Sequence, residues 1–133
     1  MNSILVLLTM IFLHMIADYN LQGILASMKQ ISWWKEACKP YGINENNFTK
    51  SKYSKDYIVG LLCHSYVWSC LIMLPLLYLY KLSATTLILF VVNVFLHAYI
   101  DDLKANKFKL NLVQDQLLHM LQIVVTWALC CLI

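Results

Sequence analysis

The chain contains no arginine, and only 13% of its residues are charged. Arginine is the side chain best suited to bidentate phosphate and base-edge recognition. Its absence argues against nucleic-acid binding, although the net charge is +3. So few charges beside a hydrophobic fraction of 61% lie outside the range of ordinary soluble domains. A core of 133 residues cannot hide that much apolar surface, so the lipid bilayer is the expected solvent for most of it.

Other absences narrow the chemistry. The cysteines form no C-x-x-C pair; Cys63, Cys70, Cys130 and Cys131 fall in apolar segments and read as small hydrophobes, with Cys38 alone in a polar stretch. There is no H-E-x-x-H motif and no serine or cysteine nucleophile with a convincing base. Ser65 follows His64 directly and so points about 100° away around a helix. The first apolar segment lacks a basic leader and an A-x-A-like site, which argues against a signal peptide. No repeat or low-complexity segment is evident.

What is present is a single domain over 1–133 with four apolar segments, at about 3–25, 57–80, 84–103 and 110–133. The polar stretch 28–55 separates the first two. It carries six lysines and the pair Trp33–Trp34, so its first part, Ser32–Cys38, is expected as a short helix at the headgroup level, with Pro40 to Ser54 an irregular loop. Nine of the ten lysines lie in this stretch or just after the third segment; Lys81 is the exception. The positive-inside rule then places those loops in the cytoplasm and both termini outside. The expected fold is all-α, an integral membrane four-helix antiparallel bundle.

Every histidine lies in an apolar segment. His14 and Asp18, His97 and Asp101, and Asp115 and His119 are each four residues apart, which stacks both groups on one helix face. His64 stands alone in the second segment. The first and third helices run inward and the fourth outward, so the reversed order of Asp115 and His119 sorts the groups by depth. His14, His97 and His119 fall in a deeper layer and the three aspartates in a shallower one. His64 joins the deeper layer within roughly 5 Å, one turn of helix. Ionisable groups at such depth are costly and mark a function by default.

Imidazole and carboxylate are ligands for zinc, iron and manganese, so His14, Asp18, His64, His97, Asp101, Asp115 and His119 are the candidate metal ligands. Seven groups suit two divalent ions, or one ion with supporting Asp–His pairs. Three carboxylates and a hydroxide would balance two divalent ions. Asp101 and Asp115 are the candidates to orient or deprotonate water. Gln22, Asn93, Asn111 and Gln116 are expected around the ligands, and Lys104 at the cytoplasmic mouth, where a substrate anion would arrive. Trp68, Met73, Tyr78 and Trp127 are expected on the lipid face as packing and interface anchors. The outer halves of the segments are nearly all apolar, which argues for a site open on one side.

The segments HMIADYNLQ, HAYIDDLK and DQLLH, with the isolated His64, resemble a bacterial and phage family of membrane proteins of unknown function, DUF3307. The resemblance covers most of the chain and is weakest over 28–55. It implies a small multi-spanning membrane protein with a His/Asp set, and no established activity. A looser likeness is to prophage-associated membrane proteins described as metal-dependent hydrolases. The leading expectation is therefore a membrane-embedded metal-dependent hydrolase acting on a lipid-linked or amphipathic substrate. The rivals are a non-catalytic membrane protein with a structural metal or polar core, such as a phage or host-interaction factor, and a metal or proton transporter.

Overall fold

The computed structural model describes residues 3–80 and 82–131, without the side chains of Tyr80 and Cys131; the expected fourth segment therefore runs beyond the described residues at 132–133. Among the described residues there is helix and no strand. The long helices are α1 (Ser3–Met15), α5 (Asp56–Tyr80), α6 (Ala84–Ala105) and α7 (Leu112–Cys131). Three stretches are long and apolar enough to cross a membrane: Ser3–Leu21, Asp56–Leu79 and Ala84–Ala105. The fourth expected segment, α7, is not among them; it opens with Asp115 and Gln116 and carries Gln122 within its apolar run.

Local sequence explains the helix ends. Ser83 and Thr86 form a reciprocal cap at the start of α6, side chain to backbone in both directions. Asn111 and Gln114 do the same for α7. Each pair satisfies donors that a helix N-terminus leaves orphaned. The first segment is shorter than expected. After Met15 the helix widens into a π-helical stretch, Ile16–Leu21, and the chain then turns at Gly23, whose φ of 46° suits a residue without Cβ.

The polar stretch is more ordered than the expected loop. It holds the short helices α2 (Leu25–Met28), α3 (Ile31–Ala37) and α4 (Glu45–Phe48), with a 3₁₀ turn at Lys39–Tyr41. Helix α3 overlaps the short helix expected over Ser32–Cys38, whereas α4 falls inside the stretch read as irregular. Phe48 and Cys38 are buried, so the Cys38 thiol is not in aqueous loop.

The long helices pack in a cycle, α1 on α5, α5 on α6, α6 on α7 and α7 back on α1. Neighbours run antiparallel. Residues near the end of α6 meet the start of α7 through His119–Asp101, and Thr126, farther along α7, meets Asn93, earlier on α6. Likewise the Trp127 indole donates to the Ser3 carbonyl, while Gln116 meets His14. An apolar core fills the end nearer the termini, built from Val6, Met10, Ile72, Met73, Leu76 and Ile123. Trp68 and Met73, expected on the lipid face, are fully buried in the interior. Trp127 is half-buried; Tyr78, at 84% exposure, lies on the surface as expected.

Candidate metal centre

Next to the apolar core, toward the end that carries most lysines, the interior becomes polar. His14, His64, His97 and His119 are each at most 2% exposed, and Asp18, Asp101 and Asp115 at most 7%. All seven expected ligands therefore reach one region, supplied by α1 with its π-helical extension, α5, α6 and α7. Asp18 lies in that widened turn and is among its buried residues; π-type turns recur at functional sites.

Two groups of ligand atoms lie within 4.8 Å of one another: Asp18, His64 and His97, and His97, Asp101 and His119. His64 Nε2 is 3.3 Å from Asp18 and 3.5 Å from Asp101. His119 Nε2 is 3.4 Å from both Asp101 and Asp115. His97 Nε2 meets His64 Nε2 at 3.2 Å. Asp18 Oδ1, Asp115 Oδ1 and His119 Nε2 meet their ion-pair partners at 3.3–3.4 Å without a well-aligned hydrogen bond, and His97 Nδ1 and His119 Nδ1 have no hydrogen-bond partner. A buried polar atom left unpaired costs about 1–3 kcal/mol. Such a concentration in one cluster fits a donor set arranged for a cation. Buried His and Asp groups thus could hold a metal ion, while also pairing with one another.

His14 and Asp115 stand outside both groups. The Trp68 indole donates to His14 Nδ1 at 2.7 Å, and His14 Nε2 meets Gln116 Oε1 at 3.1 Å. These bonds require the Nε2–H tautomer, with Nδ1 accepting, and they occupy both ring nitrogens. Asp115 accepts from Lys104 at 2.7 Å.

The residues expected around the ligands divide. The Gln116 amide donates to Asp18 at 3.3 Å and to Asp115 at 3.2 Å, so it joins three of the seven groups. The Gln22 amide donates to the Asp18 carbonyl. Asn93 does not touch the cluster. Its side chain bonds Thr126 at 3.0 Å and Gln122 at 2.8 Å, one helical turn from His97 toward the apolar core. Asn111 is exposed and caps α7, because its amide is used by the orphaned donors of the first turn. Lys104 is at the mouth as expected, but already bound to a carboxylate.

Four contributors were not anticipated. Trp68 stacks on His97 at 4.1 Å, and His97 stacks on His119 at 4.1 Å. Trp68 follows His64 by four residues, so the spacing that linked the His/Asp pairs would also have found it. Lys29 donates to Asp101 at 2.7 Å, a contact across 72 residues of chain with no local signal. Asn106 donates to the Lys29 carbonyl at 3.0 Å and accepts from the Ile31 amide at 2.8 Å. Gly60 lets the backbone of Met28 and Lys29 approach α5; a Cβ there would lie 2.6 Å from the Met28 carbonyl group.

Beside the cluster is a polar cavity of about 160 Å³, lined by Asp18, Gln22, Lys29, Asp101, Lys104 and Asp115 among others. Tyr19, 55% exposed, also lines it and connects it to the surface. No family model, curated protein or solved structure matches this chain. The chemistry of the site therefore rests on its own geometry.

Proposed function

We propose that this chain is a metal-dependent hydrolase embedded in a bacterial inner membrane, with the cavity open to the cytoplasm and both termini outside. The observation that carries this reading is the pair of buried ligand groups sharing His97, with few well-aligned hydrogen bonds of their own and a polar cavity beside them. In this reading α7 is a fourth span. Its outward face supports that, since Leu117, Leu121 and Val125 are 47–63% exposed, which suits contact with lipid. The motifs are taken as those of DUF3307, in keeping with the spacing of the His/Asp pairs.

Asp18, His64, His97, Asp101 and His119 hold one or two ions of zinc, iron or manganese. A bound divalent ion would act as a Lewis acid and ease deprotonation of water. His97 has one Nε2 directed at both aspartates, Asp18 and Asp101, and a single nitrogen serves one ion, so one ion is the better fit. Charge supports the same number. Lys29 and Lys104 neutralise two of the three carboxylates, which leaves one negative charge for the ion to meet. Asp115 Oδ1, approached by His119 at 3.4 Å, takes the proton from the attacking water. As water adds to the substrate, the bond to the leaving group breaks. Trp68, His14 and Gln116 orient the ligands through hydrogen bonds and stacking.

The substrate is a lipid-linked or amphipathic molecule. An apolar groove of about 400 Å³ lies between α6 and α7, lined by Leu96, Ile100, Leu103, Leu118 and Leu121 among others. The groove and the polar cavity lie on adjoining faces of α6, which lines one with Ile100 and Leu103 and the other with Asp101 and Lys104.

The second reading, a non-catalytic polar core, is favoured by the ion pairs that the cluster makes within itself. Transport is weaker. The Asn93–Gln122–Thr126 network extends the polar region by one layer, after which Met10, Ile72, Met73 and Ile123 close the interior. Metal content measured by mass spectrometry on protein in mild detergent separates a metal site from a metal-free polar core, and hydrolysis of lipid phosphates, esters and amides by the metal-loaded protein separates the hydrolase from a non-catalytic protein with a structural metal. Near-stoichiometric metal in the wild type, lost in His97→Ala and Asp101→Asn, is expected. No metal after loading with Zn²⁺ and Mn²⁺ would leave the polar core as the account.

A further inference from the structure

Lys29 and Lys104 come from different parts of the chain yet line the same cavity. Each ammonium sits 2.7 Å from a buried carboxylate oxygen, Lys29 on Asp101 and Lys104 on Asp115. Lys29 is held with more structure than a surface ion pair requires. Gly60 admits its backbone against α5, the Trp34 indole donates to the Met28 carbonyl at 2.8 Å, and Asn106 clasps Lys29 and Ile31. Three elements therefore fix one turn, whose outcome is an ammonium over the cavity. A lysine serving only to orient the chain in a membrane needs none of this.

We propose that Lys29 and Lys104 form a binding site for a phosphate group, and that this site becomes available when a divalent ion occupies the histidine–aspartate cluster. The inference rests on the metal reading above. Without the ion, the three carboxylates are matched at most by the two ammonium groups and a proton on His119, so an anion meets no net positive charge. With one divalent ion the same set carries one positive charge. Asp101 then belongs to the ion, and the Lys29 ammonium is left with hydrogen bonds to give. Lys104, 34% exposed at its side chain, can swing from Asp115 toward the cavity.

Phosphate fits the donors better than a carboxylate does. Its oxygens can accept from two ammonium groups and from an amide at the same time, and charge-assisted bonds of this kind are the strong ones. The Gln116 amide, whose bonds to Asp18 and Asp115 are long at 3.3 and 3.2 Å, is the third donor. Ammonium is a common phosphate partner where arginine is not used, and this chain has no arginine. A lipid head group and a free phosphate share this chemistry.

The test uses the full chain in an uncharged maltoside detergent, with metal content measured on every sample. Equilibrium binding of radiolabelled orthophosphate and of dodecyl phosphate is followed with metal loaded and after chelation. Metal-loaded protein is expected to bind phosphate saturably, and chelated protein not to. Lys29→Met and Lys104→Met are each expected to weaken binding about tenfold or more. Lys29→Arg should retain it, and Lys107→Met, at the exposed ion pair with Asp102, should leave it unchanged. Dodecyl phosphate binding tighter than orthophosphate identifies a lipid head group; equal affinities identify a free phosphate. Full metal content with no phosphate binding overturns the inference and leaves the metal reading standing. So does wild-type affinity in both lysine variants. Absence of metal from every sample overturns both, and phosphate binding that survives chelation overturns the coupling.

Discussion

Replacing Gly60 with alanine sets two physical effects against each other. Gly60 lies within α5, where alanine is normally better by roughly 0.5–1 kcal/mol. Helix propensity alone therefore makes Gly60→Ala stabilising. The packing says otherwise. An added Cβ would stand 2.6 Å from both the carbon and the oxygen of the Met28 carbonyl and 2.8 Å from the Lys29 nitrogen. These are backbone atoms, so no side-chain rotation relieves the overlap. The turn at Met28–Lys29 must retreat by most of an ångström, and overpacking of this kind costs about 1–3 kcal/mol.

The turn cannot retreat freely, because Trp34 and Asn106 hold it from the other side. A net loss of about 1–2 kcal/mol is the expected balance. The displacement also lengthens the 2.7 Å contact between Lys29 and Asp101. Unfolding titrations in detergent, wild type beside Gly60→Ala, read the sign directly. Stability equal to or above wild type would refute the reasoning, since helix propensity would then have decided the outcome.

Trp68→Phe keeps the stack on His97 but removes the donor to His14 Nδ1; a loss of about 1–3 kcal/mol is expected by the same titration, with weaker metal retention read by mass spectrometry. Asn93→Ala breaks the buried network with Gln122 and Thr126 and should cost a similar amount while leaving metal content at the wild-type level. A fall in metal with Asn93→Ala would mean that the network belongs to the site. Chelation should lower the unfolding free energy of wild type, by about 2.7 kcal/mol where free metal had stood at a hundred times its dissociation constant, and should do nothing to His97→Ala.

Much of the centre was legible because helices repeat. Three His/Asp pairs at a spacing of four, with a reversed order on the last, were enough to bring six groups to one region of an all-helical chain, and the depth of the lone His64 added the seventh. The same rule, carried one turn past His64, reaches Trp68; assigning that indole to the lipid face ignored its register with the histidine. Asn93 and Asn111 share the right stripes yet serve other needs. One satisfies the neighbouring layer, and the other caps α7, so helix register places a residue on a face without telling what it bonds. Lys29, Gly60 and Asn106 carried no such signal. Their roles depend on how the polar stretch folds back against α5 and α6, which no periodicity within one helix encodes. The π-helical turn at Ile16–Leu21 was invisible for a related reason: its hydrophobic pattern continues that of the α-helix it extends.

The position of the polar residues also bears on what the fold is for. If the cluster only tied helices together, neutral amides and hydroxyls would suffice, as they do in the layer of Asn93, Gln122 and Thr126. That layer leaves the Gln122 carbonyl oxygen as its one unpaired side-chain atom. The His/Asp cluster instead concentrates charge, leaving two ring nitrogens without a hydrogen bond and three further atoms in ion pairs at 3.3–3.4 Å. Replacing a buried ion pair with apolar groups is often neutral or stabilising, so such a cluster is a poor way to gain stability. Its location beside the cavity, with a closed apolar core behind it, gives those atoms access from one direction. The site we propose, receiving an ion and a ligand from the same side and passing neither through, accounts for both the charge and the apolar core behind it.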